Sequence, residues 1–438
     1  MFNCLKAKIR PFLSDKTISE YHRLQAGLAA WRYNYPGRKL KIIGVTGTNG
    51  KTTTCVLLGA ILELAGSKVA EATTVRFKIG ARVWKNNTKM TTISPWILQS
   101  FLSKAQRAGC EYVILEVTSH ALEQFRTLGI DFLGAVLTNI TRDHLDYHKT
   151  FAGYVSAKLK LFEAEPFISV INLDDLSSKE FLQLASSHQT SYSIGSKKAQ
   201  VRAEKIIYNI KTTDFILVTP QGQIIVKLNI KGKFNIYNAL ASAAVAHNLG
   251  ISLETIKYGL ESVDLVRGRM EEISQGQPFR VIIDYAHTPD AFEKIYKTLR
   301  PIIQGRIIAV FGATGNRDTG KRPMLSAIAS RFADIIILTN EDPYTENPVK
   351  IIKQVAIGVD RKKFNRGKNY FQIIDREKAI KKACRLAQVG DLALITGKGH
   401  EEVMAVAHPK NPHLSILAPF NEQDIVKKIL GKMGYREN

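Results

Sequence analysis

Apolar residues in this chain fall into two kinds of run. Short unbroken runs that end in polar or glycine-rich residues, such as KLKIIGV, EYVILEVTS and FLGAVLTNIT, read as buried parallel strands. Longer stretches with helical spacing lie between them, the first being TTTCVLLGAILELAG, which closes on a glycine. A second set of strand-like runs begins near Arg267, namely RVIIDYA, RIIAVFGATG, ADIIILTN and DLALITGKG, with DAFEKIYKTLR and REKAIKKACRLAQ as helical stretches among them. Strand and helix in alternation predict doubly wound α/β units. Between about Lys198 and Lys231 the period switches to strict alternation around a PQGQ turn, which predicts a β-rich insertion or flank before helix resumes at NALASAAVAHNLG. Ahead of the first strand, ISEYHRLQAGLAAWRYNY predicts one amphipathic helix closed by Pro36-Gly37.

The pattern divides the chain into a short segment 1–38, a central unit 39–266 and a C-terminal unit 267–438. A length of 438 residues agrees with more than one core. Apolar and charged contents of 45% and 23% are those of an ordinary globular protein. With no 18-residue uncharged apolar run and no signal-peptide core in MFNCLKAKIRPF, a cytoplasmic enzyme without membrane insertion is expected, and a monomer. Cys4, Cys55, Cys110 and Cys384 lack C-x-x-C spacing, which argues for reduced thiols and against a zinc site. The net charge of +23 raises nucleic acid, an anionic surface or an acidic substrate as partners. Its cations are dispersed and not interleaved with aromatics, so nucleic acid is not expected.

Candidate chemistry starts at GVTGTNGKTTT, Gly44 to Thr54, placed between strand and helix as phosphate binding requires. A P-loop reads G-x-x-x-x-G-K-[ST], and here Val45 stands where the first glycine belongs. Backbone N–H groups of Gly47, Thr48, Asn49, Gly50 and Thr53 are candidates for phosphate oxygens, Lys51 for a point charge, and the Thr52 hydroxyl for Mg²⁺. The fold class is therefore α/β, with a central P-loop-type ATPase domain built on a mostly parallel sheet and a C-terminal Rossmann-like α/β domain. TRDHLDYHKT puts His144 and His148 four apart but lacks the H-E-x-x-H order of a zinc protease. A second Mg²⁺ held with Glu116 is one reading, and a capping histidine is the other for His148. GATGNRDTGKRP gathers Arg317, Asp318, Lys321 and Arg322 after a strand, as an anion site or a solvated face. TGKGHE, ending at Glu401, offers both signs of charge, as an amino acid ligand needs.

In this order GTNGKTTT, LEVTSHALEQFRTLGIDF, TNITRDHLDYH, KFNIYNALAS, RGRME, DYAHTPDA, GNRDTGKRP and GKGHE resemble the Mur ligase family, most closely its UDP-N-acetylmuramoyl-tripeptide synthetase branch. The resemblance runs from about Lys39 to the C-terminus and accounts for Val45, since the family's loop has no glycine there. It implies an ATP-dependent ligase that adds the third amino acid of the peptidoglycan stem through an acyl phosphate, with ATP and two Mg²⁺ ions. It implies that Lys51 binds phosphate, that Thr52 binds Mg²⁺, and that Glu116 and His144 hold the second ion. Lys158, fourteen residues after His144, matches the lysine the family carbamylates. Asn235 and Asn238 match the adenine-proximal asparagines, Arg269 the linker arginine, and Asp284 and His287 nucleotide-side residues. Thr91, Thr92, Thr118, Gln124 and Arg126 fall at the muramoyl-peptide site, with Thr118 where serine is usual. Arg317, Gly397 and Glu401 match the amino-acid site.

Two departures from the family stand out. Diaminopimelate-adding members carry D-N-P-R where this chain reads EDPY, so Tyr344 replaces the arginine that holds the distal carboxylate. Lysine and diaminopimelate are then equally open as the added amino acid. Only about 40 residues precede the loop, which leaves no room for the family's uridine-binding domain and opens whether the acceptor carries UDP. The alternatives are folylpolyglutamate-type or cyanophycin-type ligation, or a nucleotide-binding scaffold. Intact Lys51, Thr52, Glu116, His144 and Lys158 argue against the last.

Overall fold

A computed structural model describes residues 14–184, 186–209 and 212–436. Two sheets organise them. The first has eleven strands in the order Gly222–Leu228, Thr213–Thr219, Val201–Tyr208, His188–Ser193, Ile168–Asn172, Phe132–Leu137, Lys41–Thr46, Tyr112–Glu116, Val69–Ala72, Arg76–Ile79, Arg82–Lys85. Its seven middle strands run parallel, and antiparallel hairpins finish both edges. The second has six, with Arg280–Asp284, Leu392–Thr396, Ile307–Phe311, Ile335–Thr339 and Tyr370–Ile373 parallel in that order and the short Glu271–Glu272 antiparallel at one edge.

Both sheets are covered on both faces, which is why their strands read as unbroken apolar runs. In strand Lys41–Thr46, Ile43 and Val45 pack under helices Lys51–Leu64, Lys233–Asn248 and Leu253–Glu261, while Ile42 joins the opposite core under Pro95–Arg107 and Phe151–Glu163. The second sheet repeats this arrangement. Ile282 faces helices Pro289–Leu299, Lys321–Phe332 and Pro348–Ala356, and Val281 and Ile283 face Arg376–Leu386 and Glu422–Lys432. Among the described residues no helix is long and apolar enough to cross a membrane.

Three expectations change. The segment near 198–231, read as an insertion or a flank, narrows to a flank: its strands extend the first sheet, because Val201 and Arg202 pair in parallel register with Tyr192 and Ser193. The helix read as starting at NALAS begins earlier, at Lys233, since Asn235 and Asn238 are helical. The front helix, Asp15–Arg32, is capped by Ser14 and buries its small residues Ala26, Ala29 and Ala30 against helix Pro95–Arg107. Leu24, Leu28 and Trp31, the large apolar residues, stay exposed. Close approach of the two helices is available to alanines and not to leucines. Cys55, Cys110 and Cys384 are free buried thiols; Cys4 lies outside the described residues.

Candidate active site

Asp284 ends a parallel strand, and the glycine loop and the loops that carry His144, Arg317, Tyr344 and Glu401 follow the carboxyl ends of others, where open α/β sheets bind ligands, whereas Thr91 and Thr92 follow the antiparallel strand Arg82–Lys85. Val45 is the last fully apolar position of its strand, opposite Glu116, with its carbonyl accepting from Val117 N–H. It belongs to the sheet, and the glycine loop starts two residues later. Gly50 caps the following helix at φ 87°, where a Cβ would stand 2.3 Å from Asn238 Oδ1. Glycine is required there on both counts.

Around this loop the cations are turned inward. Lys51 Nζ donates to the carbonyls of Gly47 and Thr48, both at 2.9 Å, and Lys158 Nζ donates to Gly47 O at 3.0 Å. Lys158 is buried beside the Tyr154 ring, and burial, reinforced by Lys51, pushes its pKa well below the ordinary lysine value. Burial also lowers Lys51, opposed by Glu116. Glu116 is buried and accepts from Thr74 twice, from N–H at 2.8 Å and from Oγ1 at 2.9 Å. His144 is pushed down to about 3 by burial against the pull of Asp143, 3.3 Å away, so its imidazole is neutral and able to ligate a metal. Asp143 is held below the usual carboxylate range: burial opposes this, and His144, Lys321 and His287 outweigh it.

Fit for Mg²⁺ is decided by one orphan. Thr52 Oγ1 is buried and has no hydrogen-bond partner among the described residues. Such a hydroxyl is costly unless a ligand completes it. Among the described residues no three His, Cys, Asp or Glu side chains converge into a ready metal centre, so oxygen from Thr52 and from a bound phosphate would have to complete the coordination.

One cavity is lined by the loop and a second by Asp143 and His144. The first, about 320 Å³, is lined by Asn49, Gly50, Thr52, Thr53, Asn238, Arg269 and Asp284, together with Phe234 and Tyr237. Asn235 lies behind it, accepting from Asn238 Nδ2 at 2.9 Å. Asp284 accepts from Met270 N–H and Ala286 N–H, both at 2.7 Å, and thereby pins the connecting stretch that carries Arg269. Arg269 stacks on Tyr285, 4.7 Å from the ring centroid.

The second cavity, about 180 Å³, lies between the two sheets and is lined by Lys89, Asp143, His144, His287, Arg317, Lys321, Asp342, Tyr344, Gly397 and Glu401. His287 thus faces this side, its Nδ1 2.9 Å from Tyr285 O, although the resemblance put it by the nucleotide. Burial and Lys321 push it down to about 4. Arg317 is exposed and sits over the Tyr344 ring at 5.5 Å. A smaller recess of about 50 Å³ beside it is lined by Thr74, Thr91, Lys89 and Glu401. Beside it Thr74 Oγ1 lies 3.1 Å from Thr91 Oγ1, Thr92 Oγ1 donates to Glu116 O at 2.8 Å, and Thr118 N–H donates to Thr92 at 2.9 Å. Arg126 ties this group together, donating to Thr92 O and to Gln124 Oε1, both at 2.6 Å.

Comparison with known proteins adds an independent finding. Residues 45–246 match the Mur ligase middle domain and residues 268–399 the Mur ligase glutamate ligase domain. A UDP-N-acetylmuramyl-tripeptide synthetase from a Roseiflexus species is 41% identical over 94% of this chain and 82% of its own length. The chain belongs to the Mur ligase family. A second relative of this Mur ligase, the UDP-N-acetylmuramoyl-L-alanyl-D-glutamate--2,6-diaminopimelate ligase of Geobacillus kaustophilus, is 40% identical over 89% of the chain and 80% of the relative. A solved ligase of that same name superposes with a TM-score of 0.63 at 31% identity, covering 94% of the chain and 83% of the neighbour. A folylpolyglutamate synthase from Mycobacterium tuberculosis shares the fold at 17% identity, with a TM-score of 0.67 and coverage of 85% and 92%. Mur ligases are ATP-dependent, ADP-forming amide ligases, and this chain is one.

In this Mur ligase Lys158 meets the loop at Gly47 O, Glu116 is held through Thr74 and Thr92, and His144 lines the second cavity. His148 is turned away toward Ser119 Oγ, at 2.9 Å, which favours its structural reading. Sequence reasoning passed over Thr74, Lys89 and Asp342, whereas Lys398 is the cation of the TGKGHE stretch it singled out. Thr74 and Lys89 lie in a stretch with no motif, and Asp342 was seen as a neighbour of Tyr344 without a role of its own.

Proposed function

We propose that this Mur ligase joins an amino acid to the terminal carboxylate of a UDP-N-acetylmuramoyl-dipeptide, in the cytoplasm, as a monomer divided at 266/267. The observation that supports this most is the pair of cavities, one lined by Thr52 and the rest of the glycine loop and suited to a nucleotide, the other lined by both signs of charge and suited to a zwitterion. The dipeptide carboxylate, oriented by Thr91, Thr92, Thr118, Gln124 and Arg126, attacks the γ-phosphorus of ATP; the bond to the β–γ bridging oxygen breaks and ADP leaves. Lys51 leaves its two carbonyl partners to pair with phosphate oxygens. The amine in the second cavity then attacks the acyl carbon, and phosphate departs with the mixed-anhydride oxygen.

Thr52, Glu116, His144 and Lys158, the last as a carbamate, are the residues that would hold two Mg²⁺ ions, whose role is to neutralise charge on the clustered anions. Burial lowers the Lys158 pKa and so favours the amine form that attacks CO₂, gaining a carboxylate-like head and releasing one proton. The test is a panel of amino acids with ATP and UDP-muramoyl-dipeptide, read by phosphate release and product mass. ATP binding with no phosphate release for any pair would overturn this reading.

A further inference from the structure

Four charges in the second cavity balance two against two. Asp342 accepts from Lys398 Nζ at 2.9 and 3.0 Å and from Lys89 Nζ at 2.7 Å. Glu401 pairs with Lys398 and lies 3.3 Å from Lys89 Nζ. Lys398 comes from the same sheet as the two carboxylates and is wholly buried. Lys89 crosses from the first sheet, from the turn after strand Arg82–Lys85, where its own φ is 54°.

The two ammonium groups are not held alike. For Lys398, burial is outweighed by Glu401 and Asp342, which raise its pKa. For Lys89, burial and the Lys398 cation outweigh the same two carboxylates and lower it. Lys89 is the cation this site can release. Asp342 is also fixed from behind by Ala405 N–H at 2.7 Å, so its carboxylate stays in place when Lys89 leaves.

We infer that Lys89 is a specificity-determining residue, filling in the free protein the ammonium site between Asp342 and Glu401 that the distal amine of the incoming amino acid takes over. The acceptor amino acid is then of the lysine or ornithine class, with a distal ammonium and no distal carboxylate. This inference rests on the ligase reading above. The remaining cations support the choice: Lys321 faces Asp143 at 3.7 Å, and Arg317, over Tyr344, is left for the α-carboxylate. The lining otherwise adds the carboxylates Asp318 and Glu341, which favour a distal ammonium over a distal carboxylate.

The experiment compares wild type, Lys89→Met and Lys89→Arg in steady state with lysine, ornithine, diaminopimelate and norleucine, and with ATP as the varied substrate. Removing an internal competitor raises the fraction of open sites, so Lys89→Met lowers KM for lysine about fivefold while KM for ATP holds within about twofold. Lys89→Arg, which keeps a cation in place, stays near wild type. A raised KM for lysine in Lys89→Met, or norleucine used as well as lysine by wild type, overturns the inference and leaves the ligase reading standing. Absence of turnover by wild type with every amino acid overturns both. Thermal melting of each variant separates a folding defect from a change in KM: a Lys89→Met protein that melts as wild type yet gains no affinity also overturns the inference.

Discussion

Replacing Lys158 with alanine separates catalysis from stability at one side chain. The change removes three buried methylenes, worth about 0.8 kcal/mol each, or about 2–3 kcal/mol together. Against this stands relief from burying an amine whose proton the unfolded chain keeps and the folded chain disfavours. Gly47 O is not orphaned, because Lys51 still donates to it at 2.9 Å. Near neutral pH, in CO₂-depleted buffer, Lys158→Ala is therefore expected to melt within a few degrees of wild type. The sign of its pH dependence follows from the lowered folded pKa. Between that value and about 10.4 the unfolded chain binds the extra proton, so wild-type stability rises with pH across this window. The variant lacks this rise, so its advantage is largest on the acid side and fades toward pH 10. Activity moves quite differently. Loss of a preorganised charge-stabilising group costs about 10²–10³ in rate, equivalent to about 2.7–4 kcal/mol, and added formate or acetate restores part of it. Phosphate release and thermal melting check the two halves. A wild-type rate without added carboxylate would refute the assignment, and a flat difference in stability from pH 6 to 10 would refute the buried-amine account.

Three further outcomes follow from single contacts. Thr52→Val removes a hydroxyl with no partner among the described residues, so melting should hold within about 0.5 kcal/mol while the Mg²⁺ concentration for half-maximal rate rises at least about tenfold; an unchanged Mg²⁺ requirement would count against the metal role. Tyr344→Arg supplies a bidentate carboxylate partner in the second cavity and should shift the diaminopimelate-to-lysine ratio of kcat/KM upward by about tenfold, which a competition assay measures directly. Gly397→Ala forces a side chain onto backbone at φ 113° with its Cβ 2.3 Å from Glu341 Oε2, and should cost about 1–3 kcal/mol in chemical denaturation; a neutral result would mean the loop relaxes freely.

The local code for this protein is strong where one short segment must do one job. Buried parallel strands need continuous apolar runs, and a phosphate loop needs its glycines and its Lys-Thr pair in fixed order, so the strands around Val45 and Ile282 and the loop from Gly47 to Thr53 could be read directly. Weaker elements were missed for the same reason. Strands His188–Ser193 and Arg82–Lys85 are polar or half exposed, and their pairing energy comes from neighbours distant in sequence. The amphipathic reading of helix Asp15–Arg32 failed because a helix pressed closely on another buries alanines and leaves leucines outside.

The sequence by itself determined the α/β class and the ligase family, because each was announced by ordered motifs and apolar runs along single segments. Tertiary structure decided which cavity each group faces. It placed His287 in the second cavity, gave Asp284 the task of holding the linker backbone, and turned His148 toward Ser119. It also brought Lys89 across from one sheet to the carboxylates of the other. That contact spans more than 250 positions of chain, and charge pairing at such separation is set by how two units dock and leaves no periodic trace in either segment.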